Sequence, residues 1–320
     1  MRHSALALLL CLFAAPVALA ADMMRAVVIV DGSPQLQSVP KPEPQAGQVR
    51  IKVRAVSVNP VDWKIAAGAP AGSHLIAGKD LSGVIDAVGP SAGPWKPGQA
   101  VIAIATGGSY ADYALAAVTA VAAKPKHMSF EEAAGIGVVG ETAWRSLVTV
   151  ANVQAGQRVL IHGGAGGVGS SAVQVAKARG AYVITTASAD HAALVRSLGA
   201  DEVIDYHSVR FEDEVKNVDV VLNTVDADTN TRSIGVIKQG GILVSVVGPP
   251  PAEVCAAAKI RCDIPGHATG EMLGAVSDLA NSGKFHIEIE QQLPLADAAK
   301  AWDLSRKGHT GGKIILEVSR

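Results

Sequence analysis

The sequence predicts an α/β protein of two domains, an irregular β-barrel followed by a doubly wound parallel sheet. The chain has 320 residues, more than a single hydrophobic core usually holds. Short apolar runs separated by proline and glycine fill the first part, as in antiparallel strands. From residue 157 to about residue 283, apolar runs alternate with helical patterns, as in a parallel sheet covered by helices.

Composition and charge limit the kinds of molecule that the protein is expected to bind. Apolar residues make up 49% of the chain and charged residues 18%, which is the profile of a globular protein with a large core. The formal net charge is -1, and like charges form no block. We therefore expect no nucleic-acid partner, and a small ligand with little charge fits better.

The N-terminus has the layout of an export signal. Basic residues precede an apolar run at residues 5–15, and Ala18-Leu19-Ala20 follows. This pattern predicts a signal peptide over residues 1–20, and a periplasmic or secreted protein that is not held in the membrane. The alternative is a cytoplasmic protein that starts at Met23 or Met24, because the first predicted strand begins just after them.

The predicted elements of the first domain are strands separated by turn clusters such as residues 93–98. After them, Ser129 is predicted to cap a helix whose first turn carries Glu131 and Glu132, where the helix dipole favours negative charge. The predicted strands cover residues 27–30, 49–58, 81–88, 100–105 and 110–115.

In the second domain, glycines such as Gly180 and Gly199 are predicted to end the helices between the strands. The predicted strands cover residues 158–162, 182–186, 202–204, 218–223 and 241–247. The tail returns to a strand, helix, strand pattern that suits the first domain. The predicted boundaries are therefore 24–146 for the first domain, completed by 284–320, and 147–283 for the second.

The cysteines after the signal are Cys255 and Cys262. In an oxidising compartment they could form a disulfide, but two free, half-buried thiols fit the helical pattern around Cys255 equally well.

The strongest motif lies at residues 159–170, where an apolar strand leads into a glycine turn and then an alanine-rich helix. In a dinucleotide site, Gly164 would permit the tight turn and Gly166 would let the backbone approach the pyrophosphate. Gly169 would let helix and strand pack closely, while the helix N-terminus faces the phosphates. Strand, turn and helix are all present, so the motif predicts a nicotinamide dinucleotide site.

About twenty residues further on, an NAD site has an acidic residue that binds the ribose 2′-hydroxyl. This chain has Thr185, Thr186, Ala187 and Ser188 there. Without a carboxylate to repel a 2′-phosphate, and with a Ser188 hydroxyl that can donate to it, NADPH is favoured.

Six segments resemble the zinc-independent quinone oxidoreductases, relatives of zeta-crystallin in the medium-chain dehydrogenase/reductase superfamily. The resemblance covers nearly all of the chain after Met24. It implies a GroES-like catalytic domain, an inserted Rossmann domain, a cleft between them and a homodimer. The segments are residues 58–64 (VNPVDWK), 78–83 (GKDLSG), 140–144 (GETAW), 163–169 (GGAGGVG), 198–206 (LGADEVIDY) and 246–249 (VVGP).

The resemblance also implies roles for single residues. Asn59 and Lys64 would hydrogen-bond a substrate carbonyl, and Thr142 would approach the nicotinamide. The residues implied to bind the cofactor are Gly164, Gly166, Gly167, Val168 and Gly169 in the turn, Ser188 and Tyr206 at the adenosine phosphate, and Val247 and Gly248 at the carboxamide. The chain departs from the family pattern at Glu141, Asn223 and His191.

Zinc catalysis is disfavoured, because a catalytic zinc needs three N, S or O ligands. Residues 24–150 contain no cysteine, and Lys79-Asp80 stands where a His-Glu pair would be expected by the resemblance. Asp62 is predicted to cap local N–H groups, and His162 to be a packed core histidine.

Together these features predict an NADPH-dependent, zinc-independent reductase that transfers hydride to a quinone or an α,β-unsaturated carbonyl. Two alternatives stay open: a non-catalytic NADPH-binding protein, and an alcohol or aldehyde oxidoreductase of the same superfamily.

Overall fold

The computed structural model describes residues 22–70, 72–308 and 311–319. The predicted signal peptide at residues 1–20 lies outside them. Within the described ranges, no helix has both the length and the apolar character needed to cross a membrane.

Antiparallel strands form the first domain. Strands β1 and β2 pair with each other, and five further strands, β3 to β7, build the larger sheet. The predicted runs all lie in or overlap strands, whereas β2 and β7 were not predicted. The bounds are β1 Met23–Val30, β2 Ser33–Pro40, β3 Gln48–Ser57, β4 Asp80–Val88, β5 Ala100–Ile104, β6 Tyr113–Ala117 and β7 Val121–Ala123.

The second domain contains a six-stranded parallel sheet. Its strands are β8 Arg158–Ile161, β9 Tyr182–Ala187, β10 Glu202–Asp205, β11 Val218–Asn223, β12 Ile237–Ser245 and β13 Arg261–Asp263. Their order is β10-β9-β8-β11-β12-β13. The chain therefore adds β9 and β10 on one side of β8 and then β11, β12 and β13 on the other. The unpredicted strand β13 forms one edge of this sheet.

The C-terminal tail joins the first domain's sheet. Strands β14 (Ile289–Pro294) and β15 (Lys313–Glu317) pair in parallel, and β15 pairs antiparallel with β3. The sheet therefore runs β14-β15-β3-β4-β5-β7, with β6 also paired to β3. This connection carries residues from the end of the chain to the junction between the domains.

Ten α-helices are found in the described ranges. Ser129 caps α2 and accepts a hydrogen bond from the Glu132 amide, as predicted, and Gly180 and Gly199 follow helices with φ of +79° and +107°. The helices are α1 Pro60–Ala67, α2 Phe130–Ala134, α3 Gly137–Trp144, α4 Gly167–Ala178, α5 Ala192–Ser197, α6 Phe211–Glu214, α7 Ala227–Ile234, α8 Ala252–Ala257, α9 Leu273–Asn281 and α10 Ala298–Lys307.

The largest hydrophobic cluster crosses the domain junction. It contains Ile102 and Ile104 of β5, Ile136 and Val139 at the start of α3, and Ile161 of β8. Helix α3 therefore lies between the two sheets, and shared apolar burial holds the domains against each other.

Cys255 and Cys262 form a disulfide that ties α8 to the edge strand β13, with their Cα atoms 6.2 Å apart. Of the two possibilities left open by the sequence, the structure therefore has the disulfide.

Candidate active site

The predicted cofactor residues lie just beyond the carboxyl ends of the strands of the parallel sheet. The glycine turn follows β8, Ser188 follows β9, Tyr206 follows β10, and Val247 lies two residues beyond β12. The order of the strands reverses between β8 and β11. In open α/β sheets, ligands bind outside the carboxyl ends of the strands at such a switch point.

Two glycines of the turn have no room for a side chain. A Cβ at Gly169 would lie 2.0 Å from the Gly163 carbonyl oxygen, and a Cβ at Gly164 would lie 2.0 Å from Thr185 Oγ1. At Gly166, the N-cap of α4, the nearest atom to such a Cβ is the Gly163 oxygen at 3.4 Å. The protein thus leaves space beside Gly166, where a pyrophosphate can approach the backbone.

The structure shows what Gly163 and Gly164 each contribute to the turn. The left-handed residue is Gly163, with φ of +72°, whereas Gly164 does not have positive φ. Gly164 is needed because its backbone packs against Thr185 of β9. Gly169 has the predicted close contact, but the contact is with the turn itself rather than with the strand.

The two threonines of β9 hold the turn in place. The Gly163 amide donates to Thr186 Oγ1 at 3.0 Å, and the Gly164 amide donates to the Thr186 carbonyl at 2.9 Å. Thr185 Oγ1 donates to the Ile161 carbonyl at 2.7 Å. Both side chains are buried, so in this stretch Ser188 is the first hydroxyl available to a cofactor.

Ser188 lies beside His191, one of the departures from the family pattern. Ser188 Oγ is 3.0 Å from His191 Nδ1, and the imidazole also packs against Gly311 of the C-terminal tail. Tyr206 is exposed, with its ring 4.3 Å from that of His207. Both residues predicted at the adenosine end are thus accessible at the sheet edge.

The nicotinamide end would lie at the loop after β12. Val247 is 37% exposed, and Gly248 has φ of +142°. The Asn230 side chain donates to the Gly248 carbonyl at 3.4 Å and accepts from Asn223 Nδ2 at 2.7 Å. Asn223, a second departure, therefore helps to hold this loop.

Glu141, the third departure, has a structural contact. Its fully buried carboxylate accepts hydrogen bonds from the Thr269 amide at 3.0 Å, the Thr269 hydroxyl at 3.2 Å and the Gly270 amide at 2.5 Å. It thus fixes the loop before α9 to α3, the helix that carries the half-buried Thr142.

Asn59 is held in a buried polar cluster at the domain junction. Its Nδ2 donates to Asp80 Oδ2 at 2.8 Å and to the Ser57 carbonyl at 3.4 Å, and its Oδ1 accepts from Lys313 Nζ at 2.7 Å. Asn59 is only 1% exposed. These neighbours already occupy both ends of its amide. The predicted contact of Asn59 with substrate stays a prediction.

Asp62 caps α1 as predicted and extends the cluster. Its Oδ2 accepts from the Asn59 amide and from the Tyr110 hydroxyl, both at 2.9 Å. Burial raises the pKa of Asp62 to about 7 and that of Asp80 to about 6. The pKa of Lys313 is lowered by burial, against the attraction of both carboxylates.

Sequence reasoning did not identify Lys313, and it did not predict the hydrogen bonds that Asp80 makes in the cluster. Lys313 begins β15 and is 6% exposed, while Asp80 begins β4, is fully buried and accepts a hydrogen bond from the Val138 amide at 2.7 Å. A lysine at the head of the apolar run KIILEV was a usable signal, because an exposed lysine would fit that pattern poorly.

Lys64 is not part of the buried cluster. It lies exposed near the end of α1, with Nζ 5.5 Å from the centre of the Trp63 ring. Its predicted contact with a substrate carbonyl stays a prediction. His162 is a core residue, as predicted, but lies one position beyond β8; its Nε2 is 2.9 Å from Ser233 Oγ, and burial lowers its pKa to about 4.

We expect Asp62→Asn to make stability less dependent on pH. Unfolded Asp62 loses its proton near the ordinary pKa of 3.8, whereas folded Asp62 keeps it up to about pH 7. Between these values the folded state binds more protons, so stability falls as pH rises. An asparagine oxygen can still accept from Asn59 and Tyr110, without this loss.

Thermal denaturation between pH 4 and pH 8 tests this expectation. The Tm difference, variant minus unaltered protein, should rise by at least about 2 °C across the interval. Asp278→Asn, at an exposed position of α9, is the matched control and should give a flat difference. A flat difference for Asp62→Asn as well would contradict the burial argument.

Family models match both parts of the chain. Residues 45–126 match the alcohol dehydrogenase GroES-like domain, and residues 198–316 match a family described as zinc-binding dehydrogenase. No group of three or more metal-binding side chains occurs within the described ranges.

Individual relatives cover most of the chain. A quinone oxidoreductase of Pongo abelii is 36% identical over 240 residues, which are 70% of this chain and 73% of that protein. A chloroplast envelope quinone oxidoreductase homolog of Arabidopsis thaliana is 31% identical over 306 residues, covering 87% and 92%. The solved quinone oxidoreductase of Coxiella burnetii superposes with a TM-score of 0.84 at 32% identity, covering 93% and 100%.

Proposed function

Because the chain belongs to the quinone oxidoreductase-like family of medium-chain dehydrogenases/reductases, and is therefore a nicotinamide-dependent oxidoreductase, we propose that it reduces quinones or α,β-unsaturated carbonyls with NADPH. The observation that carries this proposal is the glycine turn. The turn lies at the switch point of the parallel sheet and leaves space beside Gly166. Gly167, the first residue of the following helix, lies beside Lys313, which binds Asn59.

The proposed preference for NADPH rests on the end of β9. Ser188 is followed by His191, which is 3.0 Å away, and the neighbouring threonines are buried against the turn. An NAD site would place a carboxylate against the ribose hydroxyl here. A serine hydroxyl and an imidazole can both donate to a 2′-phosphate, and neither repels it.

The proposed independence of zinc rests on the side chains at the domain junction. Zinc needs three or four thiolate, imidazole or carboxylate ligands. Asn59, Asp80 and Lys313 bind one another here, and the Lys313 ammonium group has no lone pair for a metal. The cluster thus suits a site that polarises its substrate by hydrogen bonds.

In the proposed reaction, the nicotinamide supplies a hydride, and the chain holds and polarises the acceptor. Negative charge collects on the acceptor oxygen, and a proton from water completes the reduction. A donor close to that oxygen therefore speeds the reaction. Lys64 is the proposed donor, because its side chain is exposed on α1, the helix that Asn59 precedes. Thr142 on α3 is proposed to contact the nicotinamide end.

Oxidation of NADPH, followed at 340 nm with a panel of acceptors, tests the proposal. We expect turnover with quinones and enones, slower turnover when NADH replaces NADPH, and little with saturated aldehydes. NADPH binding without turnover would instead support a non-catalytic binding protein. Preferred turnover of saturated aldehydes or alcohols would support the alcohol dehydrogenase alternative.

We further propose that the protein is exported and forms a homodimer. Export is supported by the apolar leader at residues 5–15 and by the Cys255–Cys262 disulfide, since disulfides persist in oxidising compartments. The alternative start at Met23 or Met24 would place the enzyme with cytoplasmic NADPH. The dimer rests on the resemblance to the family.

A further inference from the structure

Lys313 is a buried charge that the proposed reaction does not use. It is 6% exposed, and its Nζ donates to Asn59 Oδ1 at 2.7 Å and to the Val58 carbonyl at 3.1 Å. A buried ammonium group is costly unless it is well paired. The position of Lys313 therefore needs an explanation beyond packing.

Lys313 and Asp80 together fix the orientation of the Asn59 side chain. The amide oxygen faces the ammonium group, and the amide nitrogen faces the carboxylate at 2.8 Å. Turning the amide over would place N–H groups against the cation and the oxygen against the anion. Since both contacts would become repulsive, the two charges select one orientation.

Lys313 also lies beside the first residue of the helix that follows the cofactor turn. Its Cδ lies 3.4 Å from the position that a Cβ would take at Gly167, the first residue of α4. Strand β15 brings it there by pairing with β3, in register Ile315 to Ser57. One side chain thus binds Asn59 and lies beside the helix whose N-terminus would face the cofactor phosphates.

We propose that Lys313 is a positioning residue that couples dinucleotide binding at the glycine turn to the orientation of Asn59. When NADPH orders the start of α4, the Lys313 side chain is held more firmly against Gly167. The Asn59 amide is then held in the orientation that shapes the substrate side of the cleft. The catalytic part of this inference rests on the proposed function, whereas the coupling itself does not.

Hydrogen exchange of the Asn59 side-chain amide tests the coupling without turnover. In protein labelled with ¹⁵N-asparagine, the Asn59 signals are assigned by their loss in Asn59→Leu. NADPH should slow their exchange at least about tenfold in the unaltered protein. Lys313→Met keeps the apolar stem on Gly167, so the Kd for NADPH should stay within about threefold while the added protection disappears.

Steady-state kinetics give a second readout. Lys313→Met should lower kcat for a quinone at least about tenfold with little change in KM for NADPH. If Lys313 acts through Asn59, the same change in an Asn59→Leu background should cost less than about twofold. Lys52→Met, exposed on the adjacent strand β3, is the matched control and should leave both readouts unchanged.

The outcomes separate the coupling from the reaction. Exchange that does not respond to NADPH, or that responds equally in Lys313→Met, would overturn the coupling, as would equal losses of kcat in both backgrounds. If Lys313→Met does not fold, the exchange of the Asn59 amide in the unaltered protein decides: exchange that NADPH does not slow would overturn the coupling. If no quinone or enone is turned over, the proposed reaction fails, but the exchange result still stands.

Discussion

Gly169→Ala is expected to abolish binding of the nicotinamide cofactor while leaving the antiparallel domain folded. The added methyl group would lie 2.0 Å from the Gly163 carbonyl oxygen and 3.0 Å from the Gly164 Cα. Both are backbone atoms, so no side-chain rotation relieves the clash. The helix α4 must move away from the turn, which separates its N-terminal amides from the rest of the phosphate cradle.

Titration with NADPH, followed by its fluorescence, measures this effect. We expect the Kd to rise at least about 100-fold, or about 2.7 kcal/mol. Gly274→Ala is the matched control, because a Cβ there meets nothing within 4 Å and the position lies inside α9. Retention of tight binding by Gly169→Ala would place the cofactor elsewhere.

Gly166→Ala separates two reasons for glycine in the turn. Its Cβ would contact the protein only at 3.4 Å, so the fold should tolerate it. If the cofactor fills the space beside Gly166, affinity should fall although the Tm stays nearly unchanged. Gly169→Ala, in contrast, should lower both, because it disturbs the protein before any ligand binds.

The sequence was most informative where structure is local. The strand, turn and helix around Gly166 lie within about twenty residues, and each part has its own pattern, so all three elements were predicted in their places. The packing of Gly164 against Thr185 was missed because Thr185 reaches the turn from the neighbouring strand.

The polar cluster at the domain junction depends on distant contacts. Asn59, Asp80 and Lys313 come from three strand ends, with Asn59 and Lys313 254 positions apart in the chain. No periodicity in one segment predicts such a meeting. Strand β2 was missed for a different reason: it is largely exposed and polar, so it lacks the apolar run by which the other strands were found.

Glu141 shows how a departure from a family pattern can be compensated elsewhere. From the sequence alone, no partner can be identified for an acid in the apolar part of α3. In the structure, a loop 128 residues further along supplies two backbone amides and the Thr269 hydroxyl. The carboxylate thus gives the buried Gly270 amide its acceptor and also binds the amide and hydroxyl of the exposed Thr269.

Glu141→Leu is therefore expected to destabilise the protein strongly, although leucine looks suited to a fully buried position. The buried Gly270 amide would lose its acceptor, at about 1–3 kcal/mol, and the Thr269 amide and hydroxyl would lose a charged partner. Because α3 also carries Thr142, release of the loop should lower turnover as well. Urea denaturation should show a loss of about 2–5 kcal/mol in the free energy of unfolding.

Two variants make the result specific to these hydrogen bonds. Glu141→Gln keeps one acceptor oxygen and should give an intermediate loss, since its amide nitrogen cannot accept from the remaining N–H. Glu271→Leu makes the same chemical change at an exposed position next to the loop and should stay within about 0.5 kcal/mol of the unaltered protein. A Glu141→Leu protein as stable as the Glu271→Leu control would mean that the loop amides find other partners, and that Glu141 does not anchor the loop to α3.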